Sequence, residues 1–122
     1  MADVQAVTDE TFEAEVINSP VPVFIDLWAP WCGPCVALAP IVEQLSAQYD
    51  GRVKFVKANV DENPAIAQAF RVQSIPLMAV LKNDTVVSTM LGMRPKEQLS
   101  EWIDNVLGTI AAGLPTQPGP QA

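Results

Sequence analysis

Apolar positions run along the chain in short blocks, and their spacing switches between a period of two and a helical period. Val21-Pro22-Val23-Phe24-Ile25-Asp26-Leu27-Trp28 is β-branched, aromatic and almost wholly apolar, the pattern of a strand buried on both faces. Asp26 alone interrupts it. Val53 to Val60 predicts a second core strand. Between them, Leu38, Ile41, Val42, Leu45 and Tyr49 recur at helical spacing. Pro34 suits the first turn of that helix, Pro40 inside it predicts a kink, and Asp50-Gly51 marks its end.

The flanking segments read in the same way. Val4 to Val7 predicts a short strand, and Thr8 to Val16 a short helix capped by Thr8. Asn63-Pro64 supplies a cap and a first-turn proline for a helix carrying Ile66, Ala69 and Phe70. Leu77 to Leu81 and Val86 to Leu91, joined by Lys82-Asn83-Asp84-Thr85, predict a hairpin. Pro95 opens a last helix with the stripe Leu99, Trp102, Ile103, Val106, Leu107 and Ile110. The predicted order is β-α-β-α-β-α-β-β-α: an α/β fold with a mixed central sheet of about five strands flanked by four helices. Residues 1–108 are expected to form the single domain. After Gly108 the periodicity stops, and 109–122 is expected to be a disordered Pro/Gly-rich tail.

Composition narrows the chemistry. Lys and Arg number 7 against 14 Asp and Glu, a formal net charge of −7. That argues against a nucleic acid or an anionic membrane surface as partner. The amino terminus lacks the basic and apolar regions of a secretory signal, which points to the cytoplasm. There is no histidine, which excludes Ser-His-Asp and Cys-His catalysis. The two cysteines alone do not fill a structural zinc site. Metal and organic cofactors are therefore not expected.

Both cysteines stand in Trp31-Cys32-Gly33-Pro34-Cys35, at the predicted strand–turn–helix junction. Three apart at a helix start, they fall on one side of its first turn. As a structural staple the pair is weak: closing so short a loop is worth only ~2 kcal/mol on the loop-entropy model. As a reactive pair the placement is apt. Unpaired N–H groups and the dipole at a helix N-terminus favour a thiolate at Cys32. Cys35, one turn further in, is expected to be the more sheltered of the two. Asp26 lies on the strand that feeds the turn. Buried, it would have a raised pKa and serve as the base for Cys35; at the strand end it would simply reach water. Lys57, in phase with Val53 and Phe55, is either its charge partner or an ordinary solvated lysine.

W-C-G-P-C preceded by Asp26 and followed by Ile75-Pro76, in this β/α order, resembles the thioredoxin family from about Val4 to Leu107. The resemblance implies the thioredoxin fold and a protein-disulfide reductase. Cys32 would attack a substrate disulfide, and Cys35, helped by Asp26 with Lys57 nearby, would release the reduced substrate. A partner thioredoxin reductase using NADPH would then reduce the Cys32–Cys35 disulfide. The resemblance also implies a cis bond before Pro76 and a flat docking surface of Trp31, Gly33, Pro34, Ile75, Pro76, Gly92 and Met93. A monomer is expected.

The chain departs from the family pattern at Val36, where a basic residue is common, at Leu77, where threonine is usual, at Met93, which is larger, and at Asp84 in the hairpin turn. The first three touch the site or its rim and bear on substrate choice. Two other functions remain open from sequence: an oxidant or isomerase of an export compartment, and a partner subunit that uses the fold only to dock.

Overall fold

The computed structural model describes residues 4–113 and 117–118. In chain order the elements are β1 (Gln5–Ala6), α1 (Glu13–Ile17), β2 (Val23–Trp28), α2 (Gly33–Gln48), β3 (Lys54–Asn59), α3 (Pro64–Ala69), β4 (Leu77–Lys82), β5 (Thr85–Leu91), α4 (Lys96–Ala112) and β6 (Gln117–Pro118). The strands form one sheet in the order β1-β3-β2-β4-β5-β6. β1, β3 and β2 are parallel, β4 runs antiparallel to β2, and β5 antiparallel to β4. The mixed sheet with its four helices is the architecture expected from the sequence.

Two cores lie on opposite faces of the sheet, as alternation along each strand requires. Phe24, Phe55, Met78 and Val80 face α2 and α4, which bring Leu38, Val42, Leu45, Leu99, Ile103 and Val106 to the same cluster. Val23, Ile25, Leu27, Val56, Ala79 and Leu81 face the other way, onto Val16 of α1 and Ile66 of α3.

Two local details differ from the expectations. The first helix is not continuous from Thr8. Thr11 and Phe12 donate backbone bonds to the Thr8 carbonyl, and the chain then widens into the π-helical turn of α1. Pro40 lies inside α2, which runs from Gly33 to Gln48, and deprives the Val36 carbonyl of its helical partner. The boundary expected at Gly108 falls inside α4. Leu107 and Ile110 still pack on the core there, so the helix continues to Ala112. It ends at Gly113, whose φ of 70° a side chain would disfavour and whose N–H bonds the Ile110 carbonyl. Of the remaining expected tail, Gln117–Pro118 pair with Val86 and Thr85 of β5. The rest lies outside the described residues.

Candidate active site

The site forms where β2 runs out of the sheet into α2. Cys32 is the N-cap of α2, with extended backbone (φ −90°, ψ 107°), and Pro34 occupies the first turn. The Cys35 N–H donates to Cys32 Sγ over 3.2 Å, so one of the helix's orphan donors is satisfied by sulfur. Cys32 and Cys35 are joined as a disulfide, with Cα atoms 5.3 Å apart. The expected contrast in exposure is slight: Cys32 is 5% exposed and Cys35 2%. Trp28, Ala29, Val60 and Ile75 enclose the pair, and Cys32 Sγ lies 3.8 Å from the Ile75 carbonyl oxygen.

Behind the disulfide stands Asp26. Of the two readings open from sequence, the structure gives the buried one: Asp26 is 4% exposed. It alternates with Val23, Ile25 and Leu27, so it shares its face with Phe24 and Trp28, the face covered by α2. Lys57 on β3 and Met78 on β4 are its cross-strand neighbours. Oδ1 of Asp26 has no hydrogen-bond partner. Burial raises its pKa from 3.8 to about 7, and the charge of Lys57 offsets only part of the rise. Lys57 makes no ion pair with Asp26; its ammonium sits 5.9 Å from the centre of the Trp28 ring. The two residues are thus adjacent and electrostatically coupled, but not bonded.

The other expected residues converge on the same end of the sheet. The Ile75-Pro76 bond is cis. Gly92 follows β5 with φ 88° and donates its N–H to the Pro76 carbonyl at 2.8 Å, which brings the β5 end beside the disulfide. Trp31, Gly33 and Pro34 are exposed, Ile75 and Gly92 partly so, and Pro76 is buried. The large apolar side chains most open to solvent among the described residues are Trp31, Val36, Leu91 and Met93. All four stand at the helix start or the end of β5.

Sequence reasoning missed two parts of this surface. Leu91 is half exposed beside Met93, although strand alternation gave no reason to single it out. Asp61, in the loop after β3, accepts the Trp31 indole N–H at 2.7 Å and fixes an otherwise solvent-exposed ring. Only the fold brings those residues together, so no local signal marks the pair. Among the described residues no group of three or more His, Cys, Asp and Glu side chains is placed to hold a metal ion.

The dithiol arrangement has close relatives. The family model described as Thioredoxin matches residues 3–105. A Haemophilus influenzae protein named Thioredoxin is 45% identical over 104 residues, which span 85% of this chain and 97% of that protein. Proteins named Thioredoxin 1 from Nostoc sp. and Synechococcus elongatus are 44% and 45% identical over 107 residues, 88% of this chain and 100% of theirs.

Proposed function

The chain belongs to the thioredoxin family and is a protein-disulfide oxidoreductase whose redox centre is the Cys32–Cys35 pair, and on that premise we propose how its residues divide the work. In the reduced protein the Cys32 thiolate attacks one sulfur of a substrate disulfide. A mixed disulfide forms and one substrate thiolate leaves. Asp26 takes the proton of Cys35, whose thiolate then attacks Cys32 Sγ. The second substrate thiolate leaves and the Cys32–Cys35 disulfide closes, so two electrons have passed to the substrate.

The observation that carries this reading is Asp26, a buried carboxyl with an unpartnered oxygen and a pKa near 7 on the face that α2 covers. In a chain without histidine it is a group suited to hold a proton at neutral pH. Lys57 moderates that pKa. Trp31, Gly33, Pro34, Ile75, Pro76, Gly92 and Met93 form the surface on which the substrate chain lies. The electrons return from NADPH through a partner thioredoxin reductase. The protein works as a monomer in the cytoplasm, as a single domain closed by α4.

Trapping tests the division of roles. Cys35→Ser accumulates a mixed disulfide with an oxidised protein substrate, and Cys32→Ser accumulates none; the reverse result exchanges the two roles. Asp26→Asn slows decay of the mixed disulfide at pH 7 more than its formation, and equal slowing of both steps removes Asp26 as the base. A reduction potential near about −270 mV marks a reductant, whereas one of about −120 to −180 mV marks an oxidant or isomerase.

A further inference from the structure

Beyond the docking surface lies a cation that nothing in the thiol chemistry uses. Arg94 follows Met93 and is half-buried. Its Nη2 donates to the Leu91 carbonyl at 3.0 Å, closing the short loop around Gly92. Its Nε is buried and has no hydrogen-bond partner. Among the described residues the single ion pair is Lys54 with Glu15, so no carboxylate lies within 4 Å of the guanidinium. Glu97 and Glu101, the nearest acids in sequence, do not reach it.

Arg52 and Arg71 also lack a carboxylate partner but are exposed; among the described residues Arg94 alone of the three arginines is part-buried and held by a backbone carbonyl. Arginines that enter a protein surface normally pair their rigid fork of donors with a carboxylate. Here the side chain is held in place at one donor and left without an anion. A relay of backbone contacts also ties it to the segment that lines the disulfide. The Leu91 carbonyl that it grips belongs to the residue before Gly92, Gly92 is bonded to Pro76, and Cys32 Sγ touches the carbonyl of Ile75. On the way stand the exposed Leu91 and Met93, 51% and 44% exposed.

The geometry points to Arg94 as a carboxylate subsite: it selects protein substrates that carry an acidic residue beside the disulfide to be reduced. The inference rests on the reductase reading above and deepens it. Apolar contacts at Leu91 and Met93 hold any substrate, and the guanidinium sorts among them by charge. An otherwise acidic protein would repel an acidic substrate segment, so a single cation at this rim changes the outcome for that class more than for any other.

The test uses the whole chain, reduced beforehand and freed of reductant, and three peptides with the same internal disulfide flanked by Glu, Gln or Lys. Stopped-flow tryptophan fluorescence gives the second-order rate of each exchange. The native protein reduces the Glu peptide about three- to fivefold faster than the Gln peptide at low salt, a preference that fades as salt screens it. Arg94→Gln abolishes the preference but keeps the rate on the Gln peptide, and Arg94→Lys, which keeps the charge, retains part of it. Equal preference in the native protein and Arg94→Gln overturns the subsite, as does a uniform loss on all three peptides, which marks a purely structural latch. A native protein that reduces none of the peptides contradicts the reductase reading itself.

Discussion

The two faces of β2 carry opposite designs on one strand. Val23, Ile25 and Leu27 point into a wholly apolar layer. Phe24, Asp26 and Trp28 point the other way, and in the middle of that row stands a buried carboxyl with an unpartnered oxygen. One residue's shift along the strand separates a group that stabilises the fold from one that weakens it. The difference teaches where this fold keeps its chemistry. Both faces pack an apolar core, but only the face toward α2 also carries a destabilising group, next to the dithiol.

The comparison can be broken from either side. Leu27→Ala is expected to have the largest effect, a loss of about 2–5 kcal/mol in urea unfolding from the lost contacts and the cavity left behind. It should leave mixed-disulfide resolution unchanged at temperatures where the variant is folded. A change in that rate would show that the two faces are not independent.

Asp26→Asn acts with the opposite sign. The folded pKa is raised from 3.8 to about 7, so the folded protein holds the proton more tightly than the unfolded chain does. The native protein is therefore favoured near pH 4, loses stability as the pH rises toward 7, and levels off above it. The variant should be more stable than the native protein by about 3–4 kcal/mol at pH 8, and this gain should vanish near pH 4. A gain independent of pH would assign it to packing and not to the carboxyl.

Asp9→Ala sharpens the comparison with a smaller effect. Asp9 reaches from the loop before α1 to accept the N–H groups of Ala65 and Ile66 at the start of α3. Its loss should cost about 1 kcal/mol and speed amide exchange in α3, with no effect at the dithiol.

Asp9 also shows where the sequence stopped being readable. The Asn63-Pro64 signal located α3 correctly, but Asn63 makes no side-chain cap to the helix. Its Oδ1 instead accepts the Asp9 N–H, and the cap comes from Asp9 itself. Periodicity is local, so it located β2, α2, β3, the hairpin and α4, whereas partners more than fifty residues apart leave no local trace. The same limit hid Asp61 beneath Trp31. Gly108 misled for a different reason. Glycine favours helix ends, but the apolar stripe continues to Ile110, and packing overrode a weak propensity. At the site, the cysteines were legible because their spacing is itself the signal. The burial of Asp26 was not, because an apolar strand with one acid reads equally well as a strand end. The near-equal burial of Cys32 was missed because Ile75, forty-three positions away, covers it.

The sulfur that caps α2 has a consequence for how the helix and the chemistry depend on each other. Serine is among the best residues at a helix N-cap, so Cys32→Ser hands the Cys35 N–H an oxygen acceptor in place of sulfur. Architecture alone would accept either atom, and gives no reason to prefer the costlier, oxidisable one. Position 32 therefore separates two demands that usually coincide: what the backbone needs there is any acceptor, and what the cell's electron traffic needs is polarisable sulfur. A serine variant keeps the first and forfeits the second.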